Sequence, residues 1–121
     1  MKKILLLSLL SVSVFSQTSN IFEPIDVFDL EYVSNTEISP IGNKVLYQRN
    51  FNNIMNDESF SNIWIINFDG TDNRPITTGN FKDNSPKWSN KGDKFIFKSN
   101  REGKSQIFLF DLSNNSLQKL T

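Results

Sequence analysis

The 121-residue sequence contains no histidine and no cysteine. Without histidine the chain cannot form a Ser-His-Asp or Cys-His pair, and it lacks the commonest nitrogen ligand for zinc or copper. Without cysteine it cannot form disulfides, thiolate nucleophiles or Cys-ligated clusters. A charge excess is missing too: 13 Lys+Arg balance 13 Asp+Glu. No basic footprint for nucleic acid follows from that composition. Glycine (5) and proline (4) are sparse, and residues 40–43, 90–93 and Asp69-Gly70 mark turns. What the chain does have is aromatic bulk. Its 11 Phe, 2 Trp and 2 Tyr, within 37% hydrophobic residues, suffice for one packed core.

The amino end reads as an address. Lys2 and Lys3 precede an apolar run over residues 4–15 that only serines interrupt, and Phe15-Ser16 offers a cleavable junction before Gln17. This is the three-part layout of a secretory signal peptide over residues 1–16. The run is shorter than the roughly 20 residues a membrane-spanning helix needs, so export without a stable membrane anchor is expected. Cleavage would remove two lysines and leave 105 of the 121 residues, slightly acidic and periplasmic or secreted.

Beyond the leader the sequence repeats itself. Ile38-Ser39-Pro40-Ile41-Gly42-Asn43-Lys44-Val45-Leu46-Tyr47 overlays Trp88-Ser89-Asn90-Lys91-Gly92-Asp93-Lys94-Phe95-Ile96-Phe97 at an offset of 50. Ile63-Trp64-Ile65-Ile66-Asn67-Phe68 overlays Ile107-Phe108-Leu109-Phe110-Asp111-Leu112 at 44, as does Ile76-Thr77 over Leu120-Thr121. A loop insertion over residues 50–62 of the first copy accounts for the difference. A period in the forties is that of a β-propeller blade. Residues 44–49 alternate with Val45 and Tyr47 on one face, and Phe95 and Phe97 repeat that face. Residues 63–68 and 107–112 are near-continuous apolar runs, as for a strand covered on both sides. Asp69-Gly70 closes a hairpin, because glycine tolerates the positive φ of a tight turn.

The expected fold is therefore all-β. It comprises two four-stranded blades of an incomplete propeller, residues 36–79 and 80–121, after a lead-in over residues 17–35. A short helix is expected over residues 24–31, started by Pro24. Two blades leave open sheet faces, so the outer face of the second blade is expected to expose aromatic residues. The sequence stops at the second blade's last strand, which reads as a piece of a longer protein.

Several motifs have chemical lookalikes. Gly103-Lys104-Ser105 lacks the earlier glycine of a phosphate loop, since position 98 is Lys98, and it precedes a strand. Ser116-Leu117-Gln118-Lys119 has Ser-x-x-Lys spacing but crosses a turn into a strand, where the two side chains do not converge. Asp69-Gly70-Thr71-Asp72-Asn73 is oxygen-rich, yet it lacks the spacing and distal glutamate of a calcium loop. Asp57-Glu58 is an acidic pair in the first-copy insertion and reads as an exposed loop. No catalytic, cofactor-binding or metal-binding residue is assigned, and no cofactor is expected.

The Ser-Pro-x-Gly-x-Lys block with its alternating strand resembles the propeller repeats shared by TolB-like proteins and the prolyl oligopeptidase family of serine peptidases. Asp26-Val27-Phe28-Asp29-Leu30-Glu31-Tyr32-Val33-Ser34, Ser61-Asn62-Ile63-Trp64-Ile65 and Asn73-Arg74-Pro75-Ile76-Thr77-Thr78-Gly79 are similar to the opening of exported acylaminoacyl-peptidase-like members. Ile41 departs from the repeat, where an aspartate is usual before the glycine. The resemblance implies a parent in which a propeller covers an α/β-hydrolase domain that holds the whole Ser-Asp-His triad. The propeller would admit only short oligopeptides. A TolB-like protein-binding module without catalysis is the alternative, and a short product that assembles a propeller from several chains is a third reading.

Overall fold

The computed structural model describes residues 31–53, 55 and 57–121. The signal peptide and the short helix expected over residues 24–31 lie outside the described residues, apart from Glu31. Eight strands follow in order: β1 (Tyr32–Ile38), β2 (Lys44–Asn53), β3 (Glu58–Asn67), β4 (Arg74–Pro75), β5 (Asn84–Trp88), β6 (Lys94–Glu102), β7 (Lys104–Asp111) and β8 (Ser116–Lys119). They form two four-stranded antiparallel sheets, β1-β2-β3-β4 and β5-β6-β7-β8, each built from consecutive strands. The expected all-β class with two four-stranded sheets is borne out.

The repeat is visible as duplicated hydrogen bonding. In the first sheet the Ser39 hydroxyl donates to Asn43 Oδ1 at 2.9 Å and accepts from the Lys44 amide at 3.3 Å, while the Gly42 amide reaches the Ser39 carbonyl at 2.9 Å. In the second, the Ser89 hydroxyl donates to Asp93 Oδ1 at 3.1 Å and accepts from the Lys94 amide at 3.3 Å, with Gly92 to Ser89 at 3.0 Å. Both turns need a left-handed residue, and Gly42 (φ 74°) and Gly92 (φ 75°) supply it. Ile41 in place of an acid leaves this turn intact, because Asn43 accepts the serine hydroxyl.

The threonines at the far end of each repeat also have one job. Thr77 Oγ1 accepts from the Ile63 amide at 2.9 Å, and Thr121 Oγ1 accepts from the Ile107 amide at 3.1 Å. The same side chain thereby ends the fourth-strand pairing in both sheets.

Two boundaries differ from the sequence reading. The first sheet starts at Tyr32, inside the expected lead-in, because Tyr32 and Val33 pair with Asn50 and Arg49. A register shift between Ser34 and Glu37 breaks the period-two pattern that would have shown this strand. Residues 50–53 and 58–62 are strand rather than loop: β2 and β3 pair without interruption from Lys44↔Asn67 to Asn53↔Glu58. The six extra residues lengthen the hairpin, whereas the second sheet turns at Gly103 after a register shift.

The core lies between the sheets. Leu46, Ile63 and Ile65 face Phe95, Phe97, Phe108 and Phe110, all buried, with Ile76, Trp88 and Leu112 packed around them. Each such side chain contributes about 1.5–3 kcal/mol by leaving water. The phenyl rings pack on one another, tilted for Phe95–Phe110 with centroids 5.6 Å apart and stacked for Phe97–Phe108 at 5.9 Å. The second sheet therefore spends its aromatics inward. Its outer face carries Ile96, Ile107 and Leu109, contrary to the expected aromatic surface, since period-two alternation puts these opposite the phenylalanines.

Candidate functional site

A polar cleft opens where β1 and β5 run side by side. Its volume is about 370 Å³, and Asn35, Gln48, Asn50, Ser59, Ser61, Lys82, Asn84 and Ser85 contribute to its lining. Asn35 (φ 50°) and Ser85 (φ 57°) hold left-handed backbone at the register shifts of β1 and β5. They are repeat equivalents, 50 residues apart. Non-glycine residues take this conformation at a cost of roughly 1–3 kcal/mol, so the surroundings must hold it.

Gln48 does the holding. It is buried, and its Oε1 accepts from Asn35 Nδ2 at 2.6 Å and from the Ser85 amide at 3.4 Å. Its Nε2 donates to Asn50 Oδ1 at 2.8 Å, and Asn50 Nδ2 donates to Ser34 Oγ and the Tyr32 carbonyl. One side chain on β2 thus ties the bulges of both innermost strands. Beside it, Trp88 Nε1 donates to the Glu37 carbonyl at 2.9 Å and Lys87 pairs with Glu37 at 3.1 Å.

Deeper, Asp83 is fully buried in the segment joining the sheets. Its Oδ2 receives Arg101 Nη2 at 2.8 Å and Asn62 Nδ2 at 3.4 Å, while its backbone is bonded on both sides to Ser61. The Arg101 guanidinium lies over the rings of Phe81, Phe97 and Phe108, 4.9–5.8 Å from their centroids. Neither Gln48 nor the Asp83–Arg101 pair was singled out from the sequence. Eighteen positions separate the pair, and nothing local marks either residue.

The lookalike motifs are all accounted for by turns and strands. Asp57 (φ 52°) and Glu58 sit at the tip of the long hairpin, exposed. Gly103 makes the β6–β7 turn at φ 101°, and Lys104 and Ser105 begin β7. Ser116 and Lys119 are three residues apart on exposed β8, which puts them on opposite faces. Asp69 is occupied by its own turn, accepting from the Thr71 amide at 3.0 Å and hydroxyl at 2.6 Å.

Asp111 accepts from the Ser113 amide and hydroxyl in the same way, at 2.9 and 2.6 Å. Side-chain hydroxyl bonds, from Thr71, Ser89 and Ser113 respectively, hold the Asp69, Asp93 and Asp111 carboxyls below their ordinary range. A carboxyl whose pKa falls on folding stabilises the fold above its unfolded value of about 3.9, and that stabilisation disappears as pH drops through the lower folded value. The midpoint of urea unfolding is therefore expected to stay level from neutral pH down to about 5 and to fall below about 4. Replacing all three aspartates by alanine should make that acid limb shallower; an unchanged limb would refute the assignment.

The cleft brings together amides, hydroxyls and one ammonium, that of Lys82. It can hydrogen-bond a polar chain, but the hydroxyls of Ser59, Ser61 and Ser85 in it donate to amide or backbone carbonyl oxygens rather than to a base.

No family model matches the chain. The uncharacterized peptidase YuxL of Bacillus subtilis (strain 168) is 29% identical over 97 residues, which are 79% of this chain and 15% of that protein. The uncomplexed acylaminoacyl peptidase of Pyrococcus horikoshii superposes with a TM-score of 0.65 at 25% identity, over 78% of this chain and 14% of that one. The β-propeller domain of the Trilobed protease from Pyrococcus furiosus gives 0.62 at 27% identity, over 75% of this chain and 27% of that one. The two sheets are β-propeller blades. A TolB structure from Agrobacterium tumefaciens shares the fold at 22% identity, with a TM-score of 0.58 over 76% of this chain and 30% of that one. The resemblance to peptidase and TolB propellers is thus borne out. The blades span about one seventh of the peptidases they match.

Proposed function

We propose that these blades belong to the propeller of an exported serine peptidase and help to restrict its substrates to short oligopeptides. The observation that supports this most directly is the match of both blades, in one superposition, to the propeller of an acylaminoacyl peptidase, at 25% identity over 78% of the chain. The curated relative is a peptidase as well. In this reading the chain contributes no catalytic group. Its partner is an α/β-hydrolase domain that carries the nucleophile. Acyl transfer to the serine would take place entirely in that second domain.

The test starts from the native gene product, captured with an antibody against residues 32–121 and measured for intact mass. A product several times longer that reacts with a fluorophosphonate probe and cleaves short peptides but not folded proteins is the expected result. A longer product that contains only further blades and does not react would overturn it in favour of a TolB-like binding module. A product near 105 residues would leave the peptidase as ancestry only.

A further inference from the structure

The edge of β3 that faces away from β2 is paired along most of its length. Its outward backbone groups belong to alternate residues. Thr71 takes up Asn67, Arg74 pairs with Ile65, and Ile76 and Thr77 take up Ile63. The linker takes up Ser61: the Ser61 amide donates to the Phe81 carbonyl at 2.8 Å, and the Asp83 amide donates to the Ser61 carbonyl at 3.0 Å. Ser59 is next in this row, on the part of the hairpin that the shorter second repeat lacks. Among the described residues, no backbone group bonds Ser59 on that side.

This open stretch of edge gives onto the polar cleft, whose lining includes Ser59, Ser61 and Lys82 but no carboxylate. The cleft's volume of about 370 Å³ falls within the range of about 300–1,000 Å³ usual for ligand sites. Lys82 is exposed, and among the described residues it forms no ion pair. It lies beside Ser61 in a parallel bridge, so about 7 Å of strand separates it from Ser59.

That placement sets both the direction and the charge of a guest. A chain laid along Ser59 must stop where Phe81 already bonds Ser61. Running parallel to β3, as the linker does, it brings its carboxyl end to the Lys82 ammonium. Running antiparallel, it would bring an amino terminus of the same charge. We propose that the cleft binds the carboxyl-terminal end of a short extended peptide, with its backbone added to the β3 edge at Ser59 and its carboxylate held by Lys82. The cleft lies between the two sheets, so further blades stacked on their outer faces leave it in place. Binding needs no second domain, and the inference does not rest on the peptidase reading.

The experiment is a nuclear magnetic resonance titration of the purified, isotope-labelled chain with tetra-alanine. The expected result is movement of the backbone amide signals of Ser59, Ser61 and Lys82. Amidating the peptide's carboxyl end, or substituting Lys82→Gln, should weaken binding about tenfold or more, the worth of one charge-assisted hydrogen bond. Lys82 is exposed, so the variant is expected to fold, and circular dichroism checks it. A fully N-methylated tetra-alanine keeps the carboxylate but cannot donate to the strand edge, and it should bind no better than acetate. The proposal is overturned by an absence of shifts, by shifts confined to other residues, or by equal affinity for the acid and the amide. It is equally overturned if Lys82→Gln binds as the wild type does, or if acetate binds as tightly as the peptide, which would mean an adventitious ion only. None of these outcomes bears on the peptidase reading, which the intact mass and the fluorophosphonate probe test separately.

Discussion

Replacing Asp83 by alanine is expected to lower the unfolding free energy by about 3–5 kcal/mol, the range seen when one partner of a buried ion pair is removed. Asp83 is fully buried and Arg101 keeps only 18% of its side chain exposed. Removing the carboxylate strands the guanidinium among three phenyl rings and deprives Asn62 of one of its two acceptors. The same residue stitches the linker to Ser61 of the first sheet and to Arg101 of the second, so the loss falls on the joint between blades. Small domains carry about 5–15 kcal/mol in total. The substitution therefore consumes a large part of the stability, and urea unfolding followed by tryptophan fluorescence reads it directly. The double variant Asp83→Ala with Arg101→Met should cost less than the sum of the two singles, because no unpaired charge is left behind. Strict additivity would show that the pair is not coupled.

The second large effect is at Phe97. It is 1% exposed and contacts Phe95 and Phe108 at ring-centroid distances of 5.8 and 5.9 Å, with Arg101 above it. Phe97→Ala leaves a cavity at the centre of the contact between the sheets, and a cost of about 3–5 kcal/mol is expected. Phe68, by contrast, is 67% exposed on the rim. Phe68→Ser should stay within about 0.5 kcal/mol. Two phenylalanines that hydropathy treats alike thus separate by several kcal/mol in the same urea experiment. Equal losses would mean that the sheets do not pack as described.

Much of this architecture is legible because the repeat writes the same turn twice. Ser39 and Ser89, Gly42 and Gly92, and Thr77 and Thr121 each perform the same hydrogen-bonding task in both sheets, so matching residue types at offsets of 50 and 44 mark matching backbone. The first strand was less legible. Its bulge at Asn35 shifts the side chains by one position, and the period-two signal on which strand recognition rests is lost there. The extension of β2 and β3 was hidden for a different reason. Residues 50–62 are rich in asparagine and serine, which composition assigns to loops, yet continuous pairing from Asn50↔Ser61 to Asn53↔Glu58 satisfies their backbone as strand.

The candidate site was barely legible at all. Gln48 reads as an ordinary polar position on an alternating strand, but in the fold it accepts from Asn35 and Ser85, 13 and 37 residues away. Asp83 and Arg101 become partners only when the linker, bonded along Ser61 of β3, meets the end of β6.

By itself, the sequence determined which chemistry is absent, the blade period, and where the repeated turns and the strands outside β1 and the β2–β3 extension fall, since these depend on residue type and short-range geometry. The tertiary structure decided which face of each strand meets its neighbour, and so turned the phenylalanines inward and left aliphatic residues outside. It also decided which polar groups are buried together. Both depend on contacts between segments tens of residues apart, and local pattern carries no record of those.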